Sequence, residues 1–107
     1  MTRSPLEPLA NPGSIVLFGA SPAAQTIGGG LTRNLLDGGF AGTVHLVNPK
    51  YGEIAGHPCH SSLAEVPGRV DLALIATPAA TVAEIVEQCG KKRVKAAVVY
   101  SASFAET

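Results

Sequence analysis

The sequence predicts an α/β fold built on a mainly parallel, doubly wound sheet, and three observations carry that prediction. Ile15-Val16-Leu17-Phe18, Leu72-Ala73-Leu74-Ile75 and Ala96-Ala97-Val98-Val99 are apolar at every position. Strands buried on both faces read this way, as in a parallel sheet. Between the strand-like runs lie segments with apolar residues at helical spacing. Small or hydroxylated residues follow the runs: Gly19-Ala20-Ser21, Asn48-Pro49-Lys50, Ala76-Thr77-Pro78 and Ser101-Ala102-Ser103. Strands alternating with helices are joined as parallel neighbours by right-handed crossovers. The result is a single Rossmann-like domain whose ligand lies at the carboxyl ends of the strands.

The elements follow in order. Residues 1 to 13 hold Pro5, Pro8 and Pro12 and read as a flexible N-terminal arm. Strand one spans Ser14 to Phe18 and stops at Gly19, opening a loop that runs to about Thr26. A helix from about Ile27 to Leu36 places Ile27, Leu31, Leu35 and Leu36 on one face. Gly28, Gly29 and Gly30 weaken it, each by roughly 1 kcal/mol against Ala. That cost is tolerable where a ligand or the sheet must come close to the first turn. Gly38-Gly39 ends the helix. Strand two is Thr43 to Val47, stopped by Asn48-Pro49. Ile54 to Cys59 reads as irregular chain or a short edge strand. Ser62-Leu63-Ala64-Glu65 has capping-box spacing and predicts a short helix that Pro67-Gly68 closes. Asp71 to Ala76 is the third buried strand. Thr77-Pro78 turns into a helix from about Ala79 to Cys89, with Thr77 as N-cap and Gly90 as C-cap. Ala79, Val82, Ile85, Val86 and Cys89 form its apolar stripe, and Ala96 to Tyr100 is the next strand.

Bulk properties bound the function. At 107 residues the chain is one domain, and nearly half its residues are apolar. Eight basic residues balance eight acidic ones, which argues against a general nucleic-acid binder. Cys59 and Cys89 are too few for a disulfide framework or a zinc site and read as reduced, inert thiols. His57 and His60 flank Cys59 but lack a fourth ligand and the usual metal spacing, so no metal is expected. The N-terminus lacks the apolar core of a signal peptide, and no run is long enough to span a bilayer. The expectation is a soluble, cytoplasmic protein.

The ligand class follows from the strand ends. A buried strand that ends in Gly-Ala-Ser and turns toward a helix makes a phosphate-binding loop. The dinucleotide fingerprint needs a second Gly where Ser21 stands and a third where Ala24 stands. It also needs an acidic residue after strand two, where Asn48-Pro49-Lys50 offers a lysine. Lysine suits a phosphate on the ribose rather than a free diol. NAD is thereby disfavoured, and NADP and coenzyme A (CoA) remain. Gly28 stands nine positions after Gly19, a loop long enough to wrap a pyrophosphate beside a pantetheine arm. Each residue also has a structural reading. Ser21 also suits a helix cap, and Lys50 a solvated surface lysine. His45 is a half-buried strand residue, and Lys91-Lys92-Arg93 is a solvated helix end.

Phe18-Gly19-Ala20-Ser21, Ile27-Gly28, Leu36-Asp37-Gly38-Gly39-Phe40-Ala41-Gly42 and Val47-Asn48-Pro49-Lys50-Tyr51 occur in that order. Gly56-His57-Pro58-Cys59, Val70 to Ala79 and Val98 to Glu106 follow. In this order and spacing the chain resembles the N-terminal CoA-binding domain of NDP-forming acyl-CoA synthetases, relatives of the succinyl-CoA synthetase alpha subunit. The same domain occurs in related protein acetyltransferases. The resemblance covers about residues 14 to 106. It implies a CoA site lined by Gly19, Ala20, Ser21, Pro22, Ala23, Ala24 and Ile27. Asn48, Pro49 and Lys50 follow, with Lys50 on a phosphate, and Thr77, Pro78, Tyr100, Ser101 and Ala102 border the pantetheine path. Ser103 stands where relatives usually carry Gly. The family's catalysis uses a phosphohistidine in a second Rossmann-like domain and an ATP-grasp domain, and neither fits in this chain. Residues 14 to 107 therefore read as a CoA-binding domain cut short at its C-terminal end. It would hold CoA or acyl-CoA without catalysing ligation alone, and a homo-oligomer is compatible with it. The competing readings are a stand-alone sensing domain for CoA or a nucleotide, and an NADP-binding oxidoreductase domain.

Overall fold

The computed structural model describes residues 12–100. Six strands and two α-helices alternate along them. β1 is Ser14–Phe18, α1 Ile27–Asp37, β2 Thr43–Val47, β3 Glu53–Ile54 and β4 His57–His60. β5 is Leu72–Ile75, α2 Ala79–Lys91 and β6 Ala96–Val99. The sheet order is β3-β4-β2-β1-β5-β6. Every pairing is parallel except β3 with β4. Phe18 faces Val47 on one side and Ile75 on the other, so three strand ends finish level. The expected doubly wound, mainly parallel architecture is therefore present.

The side-chain alternation of β1 divides the core between the two faces. Val16 and Phe18 join Ala73, Ile75, Leu63 and Val66 on one face, against Val82 and Ile85 of α2. Ile15 and Leu17 join Leu46, Leu72 and Leu74 on the other, against Leu31, Leu35 and Leu36 of α1. Burying Leu17 and Val16 completely requires helices on both sides, which the two crossovers provide. Since β1 leads by α1 to β2 and β5 leads by α2 to β6, the chain winds away from the β1–β5 junction in both directions. A crevice opens at the carboxyl end of that junction.

Four local expectations are corrected. The stretch from Ile54 to Cys59, expected as irregular chain or a short edge strand, belongs to a β3–β4 hairpin in which β3 is the short edge strand and β4 also pairs in parallel with β2. Ala55 and Gly56, with φ of 52° and 82°, make the left-handed two-residue turn that suits a twisted hairpin. Its sequence hid it, because only Cys59 of His-Pro-Cys-His is buried. The capping box at Ser62 gives only a 3₁₀ turn, Leu63–Glu65, and Ser62 makes no side-chain cap bond. Glu65 reaches one residue further back, accepting from the Ser61 N–H at 3.0 Å and its hydroxyl at 2.8 Å. Gly90 does not end α2, which runs on to Lys91. The helix closes as a Schellman motif: Val94 N–H donates to Cys89 and Arg93 N–H to Gly90, at 2.9 and 3.1 Å. The left-handed position usually given to glycine is held by Arg93, at φ 62°. Finally, Thr77 is not the cap of α2. Pro78 is, without a side-chain bond, and the Thr77 hydroxyl lies 2.7 Å from that of Thr81. No helix among the described residues is long and apolar enough to cross a membrane.

Candidate functional site

A cavity of about 980 Å³ opens at the carboxyl ends of β1, β2 and β5. Gly19 is the reason the three ends meet so closely. Its φ is +89°, and a Cβ there would sit 2.5 Å from the Ala76 carbonyl oxygen. Its N–H donates to the Val47 carbonyl at 3.0 Å. Any side chain would force β5 away from β1 and would also strain the turn. Gly28 plays the matching part at the start of α1, where a Cβ would lie 1.9 Å from the Gly19 carbonyl oxygen. The glycines of the first helical turn thus admit the protein's own backbone. Thr26 caps α1, accepting from the Gly29 N–H at 2.9 Å. Ile27 and Gly28 line the cavity and carry the first two N–H groups of the helix, which no helical turn can satisfy.

The loop between Gly19 and Thr26 is held by its own polar groups. Ser21 Oγ accepts from the Ala23 N–H at 3.0 Å, an ST turn rather than a helix cap. The Ser21 N–H donates to Thr32 Oγ1 at 3.2 Å, and that hydroxyl donates to the Gly28 carbonyl at 2.7 Å. At the end of β2, Asn48 Nδ2 donates to the Ala20 carbonyl and Asn48 Oδ1 accepts from the Lys50 N–H, each at 2.9 Å.

Nine residues singled out in the sequence line the cavity: Gly19, Ser21, Ala23, Ile27, Asn48, Pro49, Lys50, Thr77 and Pro78. Four others do not. Ala20 is fully buried beneath the loop. Pro22 and Ala24 are exposed outside the lining. Tyr100 packs against the core on the α1 face, its N–H donating to Ile75 at 2.8 Å. Ser101 and Ala102 lie outside the described residues, as does Ser103.

One wall went unread in the sequence. Thr81, Glu84, Ile85 and Gln88 line the cavity from α2, and Ser61, Ser62 and Leu63 close it below Lys50. The α2 residues stand at i, i+3, i+4 and i+7, one helix face. In the sequence Ile85 reads as part of the core stripe, and Thr81, Glu84 and Gln88 carry no pattern that marks them. Tyr51, beside Lys50, also lines the cavity.

The charges in the lining are few: among the described residues, Lys50 is the only cation and Glu84 the only carboxylate. The histidines stand apart from it. His45 and His60 lie with ring centroids 6.1 Å apart. Burial, helped by His60 and Lys92, holds His45 below the ordinary histidine range. Burial raises both thiols, Cys59 and Cys89, above the ordinary cysteine range, which disfavours the nucleophilic thiolate. Among the described residues no group of three or more His, Cys, Asp or Glu could hold a metal ion.

Known proteins place this geometry. A family described as the CoA binding domain matches residues 13–107. The chain belongs to the CoA-binding domain family. It is 46% identical over 101 residues to an ADP-forming acetate–CoA ligase from Archaeoglobus fulgidus, covering 94% of this chain and 14% of the ligase. The alpha subunit of an ADP-forming acetate–CoA ligase from Pyrococcus furiosus is 38% identical, covering 94% of this chain and 23% of that subunit. Among solved structures, a dinucleotide-forming acetyl-CoA synthetase from Ca. Korarchaeum cryptofilum superposes with a TM-score of 0.82 at 42% identity. That match covers 88% of this chain and 20% of the synthetase. The CoA-binding domain thus spans about a seventh to a quarter of the length of these relatives.

Proposed function

We propose that the cavity binds CoA or acyl-CoA, and that the domain is the CoA-holding module of an NDP-forming acyl-CoA synthetase. Such an enzyme makes acyl-CoA, ADP and phosphate from an acid, CoA and ATP. The single observation that carries the ligand is Lys50, set in the cavity wall at the end of β2. An NAD site requires a carboxylate there to accept from the ribose hydroxyls. A lysine there complements the phosphate that CoA carries on its adenosine ribose. The pyrophosphate would lie against the Ser21 hydroxyl and the first N–H groups of α1, where the helix dipole favours negative charge. Thr77 and Pro78 would border the pantetheine arm, which needs little beyond an apolar, close-fitting path.

The residues in the lining favour binding over chemistry. No histidine or cysteine of the described residues lines the cavity, so the carboxylate-activating steps belong to other domains or subunits. Partners of that kind, a second Rossmann-like domain and an ATP-grasp domain, are what the resemblance to acyl-CoA synthetases implies. Titration calorimetry of the 107-residue chain with CoA, NAD, NADP and ATP tests the reading. CoA should bind tightest. Equal or tighter NAD binding removes the argument from Lys50, and tighter NADP binding favours an oxidoreductase domain.

A further inference from the structure

The peptide group between Ala20 and Ser21 is gripped on both edges by side chains from two different elements. Its carbonyl oxygen accepts from Asn48 Nδ2 at 2.9 Å, and its N–H donates to Thr32 Oγ1 at 3.2 Å. Thr32 comes from α1 and is only 3% exposed. Its own hydroxyl proton goes to the Gly28 carbonyl at 2.7 Å, so it is free to accept from Ser21. Asn48 comes from the end of β2 and uses both ends of its amide. While Nδ2 crosses to Ala20, Oδ1 accepts from the Lys50 N–H at 2.9 Å. One neutral side chain therefore joins the β1 loop to the lysine loop. Its backbone is fixed too, with N–H donating to His60 at 2.9 Å and carbonyl accepting from Tyr51 at 3.2 Å.

The chemistry of that side chain is specific. The bridge needs a donor toward Ala20 and an acceptor toward Lys50, at one length. Asp has no donor for the Ala20 carbonyl. Ser can accept from the N–H two residues on, as in an ST turn, but is too short to reach Ala20. A ligand that carries a pyrophosphate and a ribose phosphate on one covalent frame needs the two protein loops at one separation. A lysine free to drift relative to the β1 loop can meet one anionic group but not hold it while the other is engaged.

We propose that Asn48 is a positioning residue, which sets Lys50 and the Ser21 loop at the separation that lets both engage one ligand. The proposal rests on the reading of the cavity as a CoA site.

A double-mutant cycle tests it, with calorimetric titration of CoA and of dephospho-CoA and a melting midpoint for each variant. Lys50→Ala alone should weaken CoA about tenfold and dephospho-CoA less than about twofold, since only CoA has the ribose phosphate. Asn48→Ala should weaken both ligands about fivefold or more. In the Asn48→Ala background, adding Lys50→Ala should cost CoA less than about threefold further, because the lysine is no longer aligned. Asn48→Ser restores only the local half of the bridge and should still weaken dephospho-CoA. Two results overturn the positioning role: single losses that multiply in the double variant, or Asn48→Ala binding CoA within about twofold of wild type. If Asn48→Ala melts below the titration temperature, the same cycle with Asn48→Ser decides by the same criteria. A wild-type chain that binds no CoA overturns the CoA reading and the positioning role together. Wild-type binding with multiplied losses overturns the positioning role alone.

Discussion

Lys50 and Ser21 show how differently two residues of one site depend on their surroundings. Lys50 is exposed at the cavity wall, and in the proposed site its charge acts on the ligand rather than on the fold. A contact from it to a phosphate is therefore screened by salt. The loss caused by Lys50→Ala, measured as the ratio of CoA affinities, should shrink as salt rises from about 0.05 M to about 0.5 M. A ratio that stays constant places the lysine away from the phosphate. Ser21 is tied into the loop through the Ala23 N–H, which its oxygen accepts at 3.0 Å. Aspartate accepts the same bond, so Ser21→Asp should leave the melting midpoint within about 2 °C of wild type. Its new negative charge stands where the proposed CoA site takes the pyrophosphate, and CoA affinity should fall by about tenfold or more. Unchanged affinity with unchanged melting would show that Ser21 does not meet the ligand.

Helix α1 carries three consecutive glycines that the structure treats unequally. Gly28 and Gly29 are pressed against backbone, with added Cβ atoms at 1.9 and 1.8 Å from the Gly19 and Ala23 carbonyl oxygens. Gly30 has only an ordinary contact at 3.8 Å, and Gly90, in α2, has none within 4 Å. Gly28→Ala must displace the loop after β1 or the helix itself, so a loss of about 2 kcal/mol or more is expected. Gly30→Ala and Gly90→Ala fill helical positions with the best helix former, and each should gain up to about 1 kcal/mol. Denaturant melts of the three variants check the contrast; equal effects at positions 28 and 30 would contradict the close approach. The triplet also marks the limit of what was legible. The sequence alone made room for a ligand or the sheet to come close to this turn, but no local pattern says which glycine or what approaches. The buried strands β1, β5 and the register-bearing end of β2 were legible because their apolar runs have only one environment that suits them. β4 was not, because it lies between β2 and the two-residue edge strand β3, pairings that topology decides. The cavity floor at Gly19, Asn48 and Thr77 followed from strand ends. Its α2 wall did not, because Thr81, Glu84 and Gln88 look like any solvated helix face until the crevice is placed beside them.

At the scale of the whole molecule, the placement of the histidines sets an expected acid sensitivity and bears on turnover. His45 lies under the α2 face of the sheet, and burial, then His60 and Lys92, disfavours its charged form. Its folded-state pKa lies below the ordinary value of 6.5, so the unfolded chain takes up a proton first as pH falls. Stability is therefore lost below that value and levels off once the folded form also protonates. Melting should be lower at pH about 5.5 than at about 7.5, and His45→Gln should flatten that slope. Glu65, held below the usual carboxylate value of 4.5 by its bonds to Ser61, loses its contribution only at lower pH and does not blur the window.

The same placement bears on turnover. Making an acyl-CoA from a carboxylate requires activating the acid, then passing the acyl group to a thiol that is already held. A nucleophile for that transfer must stand within hydrogen-bond reach of both its activating base and the reacting group. His57 is exposed on the β3–β4 hairpin, His60 is half-buried beside His45, and none of the three histidines lines the cavity. Cys59 and Cys89 are buried, with thiols raised above their ordinary range. The lining offers hydroxyls, side-chain amides, backbone N–H groups, one lysine and the Glu84 carboxylate, a set that suits the proposed binding of phosphates and an arm. The purified chain should therefore bind CoA yet form no acetyl-CoA from acetate, ATP and CoA above a boiled control. Product that forms, and disappears on changing His57 or His60 to Ala, would make one of these histidines a nucleophile and the domain an enzyme by itself.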